Sequence, residues 1–112
     1  MKQKILIIDD EYDFCTILKG YFIKRGYDVS AVHTLGEGLS ALKKIRPDIL
    51  FLDNNMPDGN GWDAIEEIVE TIPQIKAFLV SAHRKNSPLT IKNNNIVIWE
   101  KPISLATLNS IF

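Results

Sequence analysis

Carboxylates follow apolar runs at two places in this sequence. Asp9 and Asp10 come directly after the run 5–8, and Asp53 comes directly after the run 49–52. If both runs are buried parallel strands, their carboxyl ends lie at the same edge of one sheet. The sequence therefore predicts that three acids meet where an open α/β sheet binds its ligand.

The predicted acid cluster needs a positive charge nearby, because three carboxylates taken out of water repel one another. A divalent cation is one candidate, since carboxylate oxygens are among the ligands that such cations prefer. Lys101 is the other candidate. It follows the late apolar run 96–99 and would lie at the same edge of the sheet.

Length and composition predict one globular domain over residues 1–112. The chain has 112 residues, with 13 basic and 14 acidic side chains and a net charge of −1. This size accommodates a single hydrophobic core. The near-neutral charge shows no footprint for nucleic acid or a membrane surface, and no signal peptide or spanning segment is visible. We therefore expect no direct nucleic-acid binding, no membrane association and a cytoplasmic location.

The hydrophobic pattern alternates between strand and helix. Strands are predicted at 5–8, 27–32, 48–53, 75–81 and 96–100. Apolar repeats at helical spacing predict helices over about 14–22, 34–45, 61–71 and 105–112. The segment 83–95 holds Pro88 and four asparagines, so we expect a short or degraded fourth helix there. This alternation is typical of a doubly wound α/β fold, with a five-stranded parallel sheet and helices on both faces.

The carboxyl edge of such a sheet also receives Ser81, which ends the fourth predicted strand.

No glycine-rich turn follows the first strand, and Asp9 and Asp10 would repel a phosphate there, which argues against a flavin or dinucleotide binder. A phosphatase of the haloacid type would need paired aspartates spaced by one residue, and neither Asp9-Asp10 nor Asp53-Asn54 has that spacing. Taken alone, Asp10 is equally well explained as a cap of the next helix.

The whole chain resembles the receiver domain of two-component response regulators. The matching pieces are Asp9-Asp10-Glu11, Asp53 with Met56-Pro57 and Gly61, Ser81-Ala82, and Lys101-Pro102. The resemblance implies a flavodoxin-like sheet with strand order 2-1-3-4-5. It also implies that the domain accepts a phosphoryl group from a sensor histidine kinase or a histidine phosphotransfer protein, and relays the signal by a conformational change.

The resemblance assigns the phosphoryl chemistry to five residues. Asp53 would be the phosphoacceptor, and Lys101 and Ser81 would each contact a phosphoryl oxygen. The backbone N–H of Ala82 would join them, and a cis bond before Pro102 would direct the lysine inward. On this interpretation the domain catalyses only its own phosphorylation and dephosphorylation, and is not an enzyme acting on other substrates.

The resemblance likewise implies that Mg²⁺ is the cofactor. Asp10, Asp53 and the backbone carbonyl of Asn55 would bind the ion directly, and Asp9 would act through water, since Mg²⁺ keeps several of its waters in proteins.

Two features leave the output of the domain open. Ile98 occupies a position where the family usually has Tyr or Phe, and the predicted fourth helix is degraded. A downstream output domain or protein, and a phosphorylation-dependent homodimer, are the partners that the resemblance implies. We also expect further sequence after Phe112 in the natural protein, because the last predicted helix is short.

The alternative function is a phosphorylation-independent pseudo-receiver acting as an interaction module. Such domains usually lack an acid or the lysine, and here all are present.

Overall fold

The computed structural model describes residues 2–81 and 95–112. In chain order these residues form β1 (Lys4–Ile8), α1 (Tyr12–Ile23), β2 (Asp28–Val32), α2 (Leu35–Ile45), β3 (Ile49–Asp53), β4 (Asn55–Met56), β5 (Gly59–Asn60), α3 (Gly61–Thr71), β6 (Lys76–Ser81), β7 (Ile96–Glu100) and α4 (Leu105–Ile111). No helix in these two ranges is long and apolar enough to cross a membrane.

Five parallel strands form the main sheet, in the order β2-β1-β3-β6-β7. This is the predicted order 2-1-3-4-5 once the two shortest strands are set aside, so the doubly wound flavodoxin-like fold is confirmed. The register aligns the strand ends, because Ile8 of β1 lies opposite both Val32 of β2 and Leu52 of β3. The residues that follow Ile8 and Leu52 are therefore neighbours at one edge.

The central strands are buried on both faces, which explains why their sequences are continuously apolar. Side chains alternate along each strand, so the two faces carry separate clusters. One cluster joins Leu6, Ile8, Leu50, Leu52 and Leu79 of the sheet to Trp62, Ile65 and Ile68 of α3 and Leu42 of α2. The other joins Ile5, Ile7, Phe51 and Phe78 to Leu18 and Phe22 of α1 and Leu108 of α4.

The helix boundaries follow from local sequence signals. Gly26, with φ of 87°, adopts a left-handed conformation three residues after Ile23 and prevents α1 from continuing. Thr34 caps α2, because its Oγ1 atom accepts a hydrogen bond from the Glu37 N–H (3.1 Å). Arg46 closes α2 in a left-handed conformation, and the following Pro47 cannot continue the helix.

Several local expectations need correction. The helical spacing of apolar residues in 14–22 predicts an inward Ile17 and, at the edge of that face, a half-buried Cys15. Ile17 is instead 63% exposed, and Cys15 is buried. The turn predicted after Asp53 contains a small antiparallel hairpin, β4–β5. The degraded fourth helix predicted in 83–95 falls almost wholly in 82–94, outside the described residues. Alternation along a strand predicts that the adjacent residues Ile98 and Trp99 face opposite sides of the sheet, and this is confirmed, since they pack against different core clusters.

Candidate functional site

The end of β1 places the first two acids. The Asp9 N–H donates to the Val32 carbonyl (3.1 Å), which extends the pairing of β1 and β2 by one residue. Asp9 Oδ1 then accepts a hydrogen bond from the Glu11 N–H (2.9 Å), a turn that leads the chain into α1. Asp9 is therefore only 1% exposed, while Asp10 is exposed. Two neighbouring carboxylates thus have different surroundings, one inside the domain and one facing solvent.

The end of β3 places the third acid. Asp53 is its last residue and is 4% exposed. The Asn54 N–H donates to the Val80 carbonyl (3.0 Å), and the Gly61 N–H donates to the Asn54 carbonyl (3.0 Å). These bonds bring the start of α3 against β3. A Cβ atom at position 61 would collide with the Asp53 carbonyl oxygen, so only glycine allows this approach.

The three acids converge as the strand ends predict. One carboxylate oxygen from each of Asp9, Asp10 and Asp53 lies within 4.8 Å of the others. Asn55 lines the same open cleft, whose volume is about 230 Å³. Among the described residues, none donates a well-aligned hydrogen bond to the buried Asp9 Oδ2. A set of oxygen ligands with unsatisfied capacity fits the preferences of Mg²⁺.

Lys101 supplies the positive charge at this edge. Its Nζ atom lies 2.7 Å from Glu11 Oε1, 3.1 Å from Asp9 Oδ2 and 3.8 Å from Asp53 Oδ1. The Lys101 N–H donates to the Ser81 carbonyl (2.8 Å), which fixes the chain just after β7. The Lys101–Pro102 peptide bond is cis, as the resemblance implied. The lysine reaches the acid cluster from the end of β7, the edge strand that lies two positions from β3 in the sheet.

The electrostatics of the cluster favour a bound cation. Burial, followed by the charge of Asp9, raises the pKa of the Asp53 carboxyl to about 6, against the opposing effect of Lys101. Burial also raises the pKa of Asp9. Burial alone would lower the pKa of the Lys101 ammonium, but the nearby carboxylates of Glu11 and Asp9 outweigh this effect and raise the pKa. One lysine does not compensate the cluster, so a divalent cation would relieve the remaining repulsion.

Three further residues were predicted to belong to the site: Ser81, Ala82 and Pro102. Ser81 is buried at the end of β6, opposite Glu100 of β7, and so lies at the expected edge of the sheet. Ala82 lies outside the described residues. Pro102 is exposed beside Lys101. The roles assigned to these residues by the resemblance stay predictions.

From the sequence alone, a lone histidine such as His33 is better explained as solvated than as functional, so one contact at this site is missed. Its Nδ1 atom lies 3.0 Å from the Asp9 carbonyl oxygen. A carbonyl can only accept, so Nδ1 carries the proton. The Tyr12 ring stacks on the imidazole at 3.8 Å, and the Cys15 thiol donates to the same carbonyl (3.4 Å). The available signal was the place of His33 directly after β2, the strand that pairs with β1.

A second missed contact joins the β4–β5 hairpin to α2. The two carboxylate oxygens of Asp58 accept hydrogen bonds from the backbone N–H groups of Leu35 (2.7 Å) and Gly36 (2.9 Å). These bonds lower the pKa of Asp58, because they stabilise its charged form. Asp58 thus caps α2, although the two are far apart in the sequence. No local sequence signal marks this contact.

Comparison with known proteins agrees with this geometry. The family model of the response regulator receiver domain matches residues 5–110. The chain belongs to this family. The receiver domain is similar to the chemotaxis protein CheY of Thermotoga maritima, with 39% identity over 83 residues, covering 73% of this chain and 69% of that protein. It is also similar to the sporulation initiation phosphotransferase F of Bacillus subtilis, with 29% identity over 83 residues, covering 74% and 67% of the two chains.

Solved structures show the same architecture as this receiver domain. A response regulator receiver domain protein from Clostridium thermocellum superposes with a TM-score of 0.83 and 26% identity, covering 96% of this chain and 89% of that one. A two-component response regulator from Clostridium difficile gives a TM-score of 0.85 at 23% identity, covering 97% and 91%. The second likeness, at this lower identity, concerns the fold alone.

Proposed function

We propose that this receiver domain takes a phosphoryl group onto Asp53 from the phosphohistidine of a sensor histidine kinase or a histidine phosphotransfer protein, in a Mg²⁺-dependent reaction. The observation that carries the proposal is the convergence of three carboxylates and one lysine at the carboxyl edge of the sheet. One carboxylate oxygen of Asp53 lies within 4.8 Å of an oxygen of Asp9 and of Asp10, and Asp53 Oδ1 lies 3.8 Å from the Lys101 Nζ atom. A carboxylate in these surroundings can act as a nucleophile toward phosphorus.

The transfer requires only one proton from solvent besides the phosphohistidine and Asp53. An oxygen of the Asp53 carboxylate forms a bond to phosphorus while the bond between phosphorus and the histidine nitrogen breaks. The imidazole leaves with that electron pair and is neutral once it has taken up a proton. The product is an acyl phosphate on Asp53. Because Asp53 must react as the carboxylate, its raised pKa makes the positive charges around it essential.

The chain's own residues would hold the ion and the transferred group. Asp10, Asp53 and the Asn55 carbonyl would bind Mg²⁺ directly, and Asp9 would act through water. When bound, the ion supplies positive charge to the phosphoryl oxygens as negative charge spreads over them. Lys101 would bind one phosphoryl oxygen as a point charge, and the Ser81 hydroxyl would donate to another.

Partners and output follow from this role. The upstream partner is a phosphohistidine-bearing protein, and the downstream partner is an output domain, a separate protein or a second copy of this domain that binds the phosphorylated form. The domain would catalyse only its own phosphorylation and dephosphorylation. It would act in the cytoplasm, without contacting nucleic acid or membranes itself.

Phosphorylation by a small donor tests the proposal directly. Incubation with acetyl phosphate and Mg²⁺ should add one phosphoryl group to the protein, measured by intact mass, and Asp53→Asn should abolish the addition. Asp63→Asn is the matched control, since this exposed acid lies in the first turn of α3, and it should be modified like the wild type. Modification that persists in Asp53→Asn would contradict the assignment. No modification of the wild type would favour the pseudo-receiver alternative.

A further inference from the structure

The Lys101 ammonium is held by the segment between β1 and the first turn of α1. Glu11 accepts a hydrogen bond from Nζ at 2.7 Å, and Asp9 lies at 3.1 Å. Nζ also lies 4.9 Å from the centre of the Phe14 ring, within the range of a cation–π contact. All three groups belong to one stretch of six residues, while Asp53 on β3 is the most distant of the lysine's acidic neighbours, at 3.8 Å.

The two nearest acids differ in how easily they can release the lysine. Asp9 is buried, and its other oxygen is committed to the Glu11 N–H. The Glu11 side chain is 62% exposed and makes no hydrogen bond to the start of α1. Losing the lysine therefore leaves Glu11 in water, where its charge is well solvated, whereas Asp9 would be left as a buried charge without its partner.

We propose that Glu11 is a positioning residue that holds Lys101 away from Asp53 before phosphorylation and competes with the phosphoryl group for it afterwards. This inference rests on the proposed function. The phosphoryl oxygens on Asp53 must draw the ammonium from Glu11, so the Glu11–Lys101 pair weakens the phosphorylated state and slows its formation. Glu11 thus sets how readily the domain switches, without contacting the reacting atoms in the unphosphorylated form.

Beryllofluoride, a stable mimic of a phosphoryl group, provides the measurement. Its affinity for the protein at saturating Mg²⁺ is determined by calorimetry for the wild type, Glu11→Gln and Glu11→Ala. We expect both variants to bind it about two- to fivefold more tightly, which is the range of an exposed ion pair. The rate of phosphorylation by acetyl phosphate should rise by a similar factor. Neither substitution removes a helix cap, because the Glu11 side chain does not cap α1.

Asp13→Asn is the matched control for charge. Asp13 lies in the first turn of the same helix and is exposed, so this variant removes one negative charge near the site without touching Lys101. It should bind beryllofluoride as the wild type does. An equal gain in Asp13→Asn would show that Glu11 acts only through general electrostatics and would overturn the proposal.

The route through the lysine is tested in a Lys101→Met background. There Glu11→Gln should leave the affinity for beryllofluoride unchanged, because the pair no longer exists. A gain that persists without Lys101 would overturn the proposal. Unchanged affinity in the Glu11 variants, with a wild type that is phosphorylated on Asp53, would refute this inference alone. A wild type that accepts neither acetyl phosphate nor beryllofluoride would refute both this inference and the proposed function.

Discussion

Asp53 meets two opposing requirements, since it must be buried at the end of a central strand and must react as an ion. Burial and the neighbouring Asp9 raise its pKa to about 6, while Lys101 counteracts them. In the metal-free protein, ionising the Asp53 carboxyl therefore costs more free energy in the folded state than in the unfolded state. The site destabilises the fold that carries it, as functional sites often do.

This cost predicts an unusual pH dependence for the metal-free domain. Between the ordinary pKa of 3.8 and about 6, the folded state binds more protons at Asp53 than the unfolded state does. Its free energy of unfolding should therefore fall as the pH rises through this window, by on the order of 3 kcal/mol from this group. Urea unfolding from pH 4 to 7 measures the effect.

Asp53→Asn should remove most of this dependence and make the metal-free domain more stable at pH 7. Asp63→Asn should retain the dependence, because Asp63 is exposed. Asp9, whose pKa is also raised by burial, contributes in the same direction and leaves a smaller residual slope. Stability that rises with pH over this range in the wild type would contradict the burial argument.

The sequence predicts the acids and the lysine of the site better than it predicts their supporting contacts. Asp9, Asp53 and Lys101 each follow an apolar run, and strand ends converge in any parallel sheet, so their meeting follows from the pattern alone. Glu11 and His33 could not be assigned in the same way. Their contacts depend on the side-chain conformation of groups that are far apart in the chain, and hydrophobic periodicity carries no information about that.

At the scale of elements, Asp58 joins the β4–β5 hairpin to the start of α2. Its two carboxylate oxygens satisfy the N–H groups of Leu35 and Gly36, which are free donors at a helix start. Asp58 lies in the turn of this hairpin, and Asn55, the residue whose carbonyl is expected to bind Mg²⁺, lies on its first strand, β4. The carboxylate of Asp58 therefore stabilises the start of α2, and it would also help to position Asn55 for the proposed Mg²⁺ site.

Asp58→Ala should lower the free energy of unfolding, because the N–H groups of Leu35 and Gly36 at the start of α2 lose their acceptor. It should also weaken Mg²⁺ binding, because the hairpin that presents Asn55 loses its attachment to α2. Calorimetric titration with Mg²⁺ and urea unfolding measure the two effects. Asp63→Ala, which removes an equal charge from the next helix, should leave the Mg²⁺ affinity close to that of the wild type. If Mg²⁺ binds equally weakly to both variants, Asp58 acts only through its negative charge and not through its contact with α2.

The same elements show where sequence patterns lose their information. Helices of eleven or twelve residues, such as α1, α2 and α3, span enough turns for an apolar stripe to stand out. The strands of the hairpin have two residues each, too few for any alternation to be visible. Their presence was therefore not predictable, although the polar turn that contains them was.

At the scale of the whole molecule, the acid cluster would link the proposed metal binding to folding. The residues that would hold the ion follow β1, end β3 and lie in the β4–β5 hairpin, and these segments approach one another only in the folded sheet. Mg²⁺ should therefore raise the free energy of unfolding, by about 3 kcal/mol at a hundredfold excess over its Kd. Thermal unfolding with and without Mg²⁺ measures this.

Asp10→Asn should abolish most of the stabilisation by Mg²⁺ while leaving the metal-free domain no less stable, because it removes a ligand and a source of repulsion together. Asp13→Asn, one turn away on the exposed start of α1, should keep the wild-type response to Mg²⁺. An undiminished response in Asp10→Asn would argue against direct coordination by this residue.

The separation of the core into two clusters has a spectroscopic consequence. Trp62 belongs to the cluster beneath α2 and α3, and Trp99 packs against the cluster beneath α1 and α4, at 4.6 Å from Phe78. The two indole rings are therefore packed on opposite faces of the sheet. Trp99→Phe leaves a fluorophore that reports on the side of α3 and the Asp53 loop, and Trp62→Phe leaves one that reports on the side of α1 and the C-terminal helix. The two emission signals divide the molecule into halves that can be followed separately in solution.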